Sequence, residues 1–388
     1  MKRCVIDSMF SLLRYEVCFG EELSEAERTA AKEELGSLYT LAKAHDMEHL
    51  VADALSLQGL LDGDDEYAKK FQKAQMLALF RYERINYDYL AICKLFEQEG
   101  VVFLPLKGAI IRDFYPQAWM RTSCDVDILI KEEDIERASE LLQKRLSFTL
   151  GARNYHDVSL FSPSGVHLEL HFSIQENKEQ LDRVLSRVWE YVNTARTAEY
   201  RQEMSNEFFM LHHITHMAYH FVSGGCGIKP FMDLAVMRER VTFDTEKFKA
   251  LCDECELWSF YENVMALTDV WFGRAEHTSV TERMQSYLLL GGVYGTVENK
   301  VAANQVKKSG KLGYMLGRIF PSKEQLSVRY PTLKRRGWLL PIYHVRRWFE
   351  IIFCGRLKHS MRELQVSSSV SADKVQATKA LFDEIGLK

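Results

Sequence analysis

The 388-residue chain reads as an α+β fold, with a small mixed β-sheet flanked by an N-terminal and a C-terminal helical region. Three observations predict this. Apolar residues recur every three to four positions through the first hundred residues, short apolar or alternating runs replace that spacing between 101 and 172, and helical spacing returns from about 180. The expected organisation is a helical region at 1–99, an α+β core at 100–180 and a second helical region at 181–388, basic at 300–358.

In the first region, Leu35, Leu38 and Leu41, then Leu50 and Leu55, stand at helical intervals with charges between them. The stretch beginning "YAKKFQKAQ" continues as one long amphipathic helix that Gly100 is placed to cap. "VVFLPLKG" at 101–108 is a short strand ended by glycine, and "DVDILI" at 125–130 is a second. A helix at 134–146 returns across it, and "DVSLFSP" (157–163) and "VHLELHF" (166–172) make a hairpin about Pro163, Ser164 and Gly165. Beyond 180, "NEFFMLHHITHMAYHFV" and "KPFMDLAVMRERV" read as helices separated by "SGGCGI", and the prolines at 321, 331 and 341 cut the basic region into short pieces.

Composition narrows the function. Hydrophobic residues make up 47% and charged residues 27%, an ordinary globular balance, and a net charge of −4 gives no sign of a chain that coats nucleic acid. That total hides an asymmetry. Residues 300–358 hold fourteen Lys/Arg against Glu324 and Glu350, a net of +12, which leaves −16 elsewhere. The basic stretch is expected either to pack against the acidic remainder or to attract an anionic ligand, with the Lys334–Arg336 cluster the densest part. Asp7 interrupts the apolar N-terminus, and no run approaches the ~20 apolar residues of a membrane span, so a cytoplasmic protein without a membrane partner is expected. The single CxxC, Cys252–Cys255, lacks the second pair of a zinc ribbon and is expected to be two reduced, buried thiols.

The chemistry is concentrated at "RTSCDVDILI". Asp125 and Asp127 share one face of a strand, where two carboxylates repel each other and contribute nothing to pairing. A hard divalent cation explains the pair. Glu169 supplies a third carboxylate, at the centre of the polar face His167–Glu169–His171 that alternates with Val166, Leu168 and Leu170. Three such acids can hold two Mg²⁺ or Mn²⁺ ions about an in-line phosphoryl displacement. His212, His216 and His220 lie on one helix face and are expected to pack near the sheet, because HExxH is absent. Lys229 and Asp233 serve equally as substrate contacts or as a helix cap and salt bridge.

The order of these features is similar to the nucleotidyltransferase superfamily related to DNA polymerase β: a strand ending in Lys-Gly, a helical stretch, R-x-x-x-D-x-D opening a strand, a helix, then h-x-E-x-H. More narrowly, it resembles a bacterial family known only as uncharacterised nucleotidyltransferases. The core resemblance covers 101–172, with weaker traits on either side. It implies that Asp125, Asp127 and Glu169 are both the catalytic and the metal-binding residues. The expected reaction moves a nucleoside monophosphate from an NTP, with ATP the expected donor, to an acceptor hydroxyl or phosphate on a small molecule, protein or RNA. Minimal members carry Gly-Ser where this chain has Lys107-Gly108. Lys107 would place a point charge on phosphate and Gly108 would let backbone N–H groups approach it. Arg121 would offer its fork to phosphate, unless it is an ordinary surface arginine. The alternative is a catalytically degenerate protein that binds nucleotide or a partner on the same fold, and a third reading is a scaffold using the basic segment.

Overall fold

A computed structural model describes residues 2–18, 20–61, 63–176, 178–195, 198–307, 319–323, 326, 330, 332–353 and 370–387. Five helices precede the sheet: α1 (Arg3–Val17), α2 (Glu25–Glu33), α3 (Leu35–Ala44), α4 (Glu48–Leu57) and α5 (Glu66–Glu99). The long α5 starts where the Asp65 side chain accepts from the Tyr67 and Ala68 N–H groups, and ends at Gly100 in the left-handed conformation, φ 66°.

The sheet has the order β1 (Phe103–Pro105), β2 (Asp125–Ile130), β5 (His167–His171), β4 (Asp157–Phe161) and β3 (Thr149–Arg153). β1 runs antiparallel to β2, β2 and β5 are parallel, and β5–β4 and β4–β3 are antiparallel, so the sheet is mixed as expected. The β4–β5 hairpin lies where the sequence puts it. Two short helices follow β1 and β2: α6 (Gly108–Ile111) and α7 (Ile135–Leu146). α8 (Glu179–Leu185) then leads to a two-stranded ribbon, β6 (Val192–Thr194) with β7 (Gln202–Met204), which corrects the all-helical reading of the chain beyond 180. Helices α9 (Asn206–Phe221), α10 (Lys229–Arg238), α11 (Thr245–Glu254), α12 (Trp258–Phe272), α13 (Ser279–Leu289) and α14 (Val297–Lys307) complete the body. Further helices lie at Thr332–Arg335, Leu340–Phe353 and Ala372–Glu384.

Period-2 alternation splits the sheet into two faces. Val126, Ile128, Ile130, Val158, Leu160, Leu168 and Leu170 point to one side and pack with Ile135, Ala138 and Leu142 of α7 and Ile85, Ile92 and Phe96 of α5. The opposite side meets the helical body. Leu104, Leu106 and Leu129 join a larger apolar core there, drawn from α1, α4, α9, α10, α12 and α13. The polar residues of β2 and β5 therefore lie between two packed layers. Among the described residues, no helix is long and apolar enough to cross a membrane. Cys252 and Cys255 are buried free thiols, and burial pushes Cys255 up to about 12. Much of the basic stretch, including 308–318, 327–329 and 354–358, lies outside the described residues.

Candidate active site

Register brings the three acids together. Because β2 and β5 are parallel neighbours, Asp127 stands beside Glu169 and Asp125 beside His167, while Leu129 pairs with His171. Ligand atoms of Asp125, His167 and Glu169 all lie within 4.8 Å of one another, as do those of Asp127, Glu169 and His171. Glu169 is common to both sets, so it can bridge two ions or complete one.

The charges around Asp127 and Asp125 differ. Burial alone would raise the Asp127 carboxyl. The Lys107 ammonium at 3.9 Å and the His171 Nε2–H, which donates to Asp127 Oδ1 at 2.9 Å, outweigh burial and hold it below the usual carboxylate range. Asp125 is pushed up instead, by burial and then by repulsion from Asp127 and Glu169. His171 is opposed by burial but raised to about 9 by its bonds to Asp127 and Glu169. Its other ring nitrogen, Nδ1, is buried and has no hydrogen-bond partner among the described residues. Burial also opposes the charge on Lys107, but Asp127, Glu176, Asp125 and Glu169 hold its pKa above the ordinary value.

Lys107 has φ 40° and ψ −113°, a conformation that L-residues seldom adopt. It is the turn between β1 and α6, pinned by Leu106 N–H donating to the Asp127 carbonyl at 3.0 Å. Gly108 follows, and its missing side chain has a cause other than a nearby ligand. A Cβ there would meet Arg121 Nη1 at 3.0 Å and Ser123 Cβ at 3.4 Å. Arg121 itself is held from behind: its Nε and Nη2 donate to Asp233 Oδ1 and Oδ2 at 3.1 and 2.8 Å. Tyr115 donates to the same buried carboxylate at 2.7 Å. Asp233 thus makes the salt bridge that was one of its two expected roles. Lys229 does likewise, donating to Asp46 Oδ2 at 2.6 Å and to Thr122 Oγ1 at 3.0 Å. These two networks tie the loop before β2 to α10 and to the α3–α4 turn.

A cleft of about 160 Å³ opens on this face, lined by Lys107, Glu169 and His171 from the sheet side and by Glu176, His212, His216 and Tyr219 opposite. The α9 histidines pack towards the sheet as their spacing predicts, and two of them reach the cleft wall. Glu176 had no signal in the sequence, because it lies in an irregular segment after β5 with no periodic context. His167 is a candidate ligand that strand alternation placed on the correct face without marking its role.

The donor set is three carboxylates and two imidazoles, and Lys107 and His171 supply compensating charge close to Asp127. Clustered oxygen donors suit Mg²⁺ or Mn²⁺, and the imidazoles add a preference towards the transition ion. The residues fit a divalent cation. A family model described as uncharacterised nucleotidyltransferase matches residues 31–273, from α2 to the end of α12. No curated protein and no solved structure matches the chain.

Proposed function

The chain belongs to the uncharacterised nucleotidyltransferase family, and from that premise we propose that it transfers a nucleoside monophosphate from an NTP, with ATP as donor, to an acceptor, releasing pyrophosphate. One observation carries this reading. Asp125, Asp127 and Glu169 converge with His167 and His171 on one sheet face, beside an ammonium and at the edge of a cleft.

In the proposed reaction, Asp125, Asp127 and Glu169 hold the divalent cation, and His171 fixes the rotamer of Asp127 by its hydrogen bond. A bound divalent ion supplies charge stabilisation at the α-phosphate and orients donor and acceptor. Lys107 places its ammonium on the polyphosphate, where charge grows as the bond to the leaving pyrophosphate lengthens. Gly108 brings the start of α6 close to the same phosphates. Arg121, committed to Asp233, acts through Gly108 by setting the position of that turn. The acceptor oxygen attacks the α-phosphorus, and the bond from that phosphorus to the β-bridging oxygen breaks.

A non-catalytic nucleotide-binding reading has one observation in its favour. Arg121 already spends its fork on Asp233, so Lys107 is the one lysine or arginine that lines this cleft among the described residues. The experiment that tests both uses the full chain with each NTP and Mg²⁺ or Mn²⁺. Ligand at a hundred times its dissociation constant stabilises the fold by about 2.7 kcal/mol. The melt should rise with ATP and metal, rise much less with EDTA, and be accompanied by pyrophosphate release and label transfer to acceptors in cell extract. Stabilisation without release supports the binding reading; equal shifts with and without metal remove the metal site.

A further inference from the structure

Opposite the metal-binding face stands a second carboxylate that the proposed chemistry has not used. Glu176 lies in the segment between β5 and α8, its N–H donating to Asp182 Oδ1 at 2.7 Å, which fixes the backbone. Its Oε1 accepts from His216 Nδ1–H at 3.0 Å. His216 Nε2 lies 3.0 Å from His220 Nε2, and with His216 protonated on Nδ1 that contact requires His220 to donate. The tautomers are therefore set in a row, and α9 holds the carboxylate through two successive imidazoles. Oε2 of Glu176 makes no hydrogen bond among the described residues and belongs to a residue that lines the cleft.

A structural role explains this arrangement poorly. Among the described residues, Glu176 forms no ion pair with a lysine or arginine. After Asp127, it is the carboxylate that does most to keep Lys107 charged, and both residues line the same cleft. The wall around it offers His212, His216, Tyr219, Gln175 and Ser173, neutral hydrogen-bonding groups, and Lys107, assigned above to the polyphosphate, is the one lysine or arginine among the described residues that line the cleft.

Resting on the nucleotidyl-transfer reading above, we propose that Glu176 is the general base of the reaction and that the acceptor is a neutral, hydroxyl-bearing small molecule seated between β5 and α9. The acceptor O–H proton passes to Glu176 Oε2 as its oxygen bonds to the α-phosphorus, and pyrophosphate departs with the electron pair of the broken P–O bond. An acceptor phosphate needs no base at neutral pH and would be repelled by this carboxylate, so the geometry selects a hydroxyl. His216 and His220 are positioning residues. Consistent with the assignment, Glu176 is raised to about 7 by burial and by Asp182, against the lowering effect of Lys107 and His171. Tyr219 also faces it, and is itself raised by burial and by Glu176. A base with that value is half ionised at neutral pH and retains its pull on the proton.

The test measures two quantities on the full-length protein: stabilisation by ATP with Mn²⁺, and pyrophosphate release from ATP between pH 5 and 9, with water and then simple polyols as acceptors. Glu176→Gln should leave the nucleotide stabilisation intact and slow release by about 10²–10⁴-fold. The acid limb near pH 7 should disappear with it. His216→Asn should slow release less and displace that limb, which loss of packing alone would not do. Release by Glu176→Gln at the wild-type rate with an unchanged pH profile overturns the assignment. So does a Glu176→Gln protein that loses nucleotide stabilisation as fully as Asp127→Asn. A wild-type chain that gains no stability from ATP and Mn²⁺ strikes the transfer reading first and takes this one with it.

Discussion

Asp125 and Asp127 are two residues apart on one strand, yet the fold treats their charges in opposite ways. Asp127 is held ionised by Lys107 and His171 despite its burial, whereas Asp125 is penalised by burial and by its acidic neighbours. Without metal, Asp125→Asn should therefore raise the melting temperature by relieving repulsion. Asp127→Asn should lower stability by roughly 1.5–3 kcal/mol, because it removes the charged acceptor of the buried His171 Nε2–H and the charge that Lys107 faces at 3.9 Å. Both should lose pyrophosphate release. Urea unfolding in EDTA measures the two signs, and equal signs would mean the strand environment is symmetric. His171 gives the pH counterpart. Its folded pKa is raised from 6.5 to about 9, so its bonus is complete below pH ~6.5 and fades as pH rises through about 9. Unfolding midpoints between pH 6 and 10 should fall with a slope that His171→Gln flattens. The acids themselves were legible from D-x-D and the alternation of "VHLELHF"; their unequal protonation was not, because it depends on Lys107 and His171, which strand pairing and a strained turn deliver.

At the scale of elements, the strands that were readable are those with a buried face. β2 and β5 alternate or run apolar because one side packs on α5 and α7. Strand β3, "TLGAR", is exposed at every position, so it carries no alternation to read. The ribbon β6–β7 has three residues per strand and is held by something other than apolar pattern. Glu97, in the last turn of α5, accepts from the N–H groups of Glu199, Tyr200 and Arg201 at 2.7–3.2 Å. Phe103 N–H then donates to the Tyr200 carbonyl at 3.2 Å, which joins the ribbon to β1. One carboxylate thus replaces the hydrophobic signal that sequence reading depends on. Glu97→Ala should free three backbone donors and speed amide exchange at Tyr200 and Arg201 by tenfold or more, for about 1.4 kcal/mol of lost local stability. Unchanged exchange at those two amides would show that the ribbon is held by its own pairing.

The whole molecule explains why the site exists only in the assembled chain. Its polar wall is made by a sheet whose other face packs on α5 and α7, and its far wall by α9, which belongs to the helical body. That body is built from both ends of the sequence. Phe10 of α1 stacks on Trp271 of α12 at 4.8 Å, Phe231 of α10 meets the same ring at 4.8 Å, and Arg14 Nη1 donates to the Trp271 carbonyl at 3.2 Å. Leu129, two residues beyond Asp127, is buried in the same core. The family match agrees with this geometry in its extent, since 31–273 takes in helices on both sides of the sheet. Sequence spacing identified helices before and after the sheet but had no means of showing that they close on each other across more than two hundred residues. If the site depends on that closure, damage far from it should be felt there. Trp271→Ala should cost about 3–5 kcal/mol, and the loss should appear in one cooperative transition in which the amides of β2 and β5 exchange by global unfolding together with those of α12. Trp271 is not among the residues that line the cleft, so metal-dependent nucleotide binding to the folded fraction should keep its affinity while the midpoint falls. Two separated transitions, with the sheet surviving after α12 has melted, would instead mean that the α+β core stands alone and that the helices merely cover it.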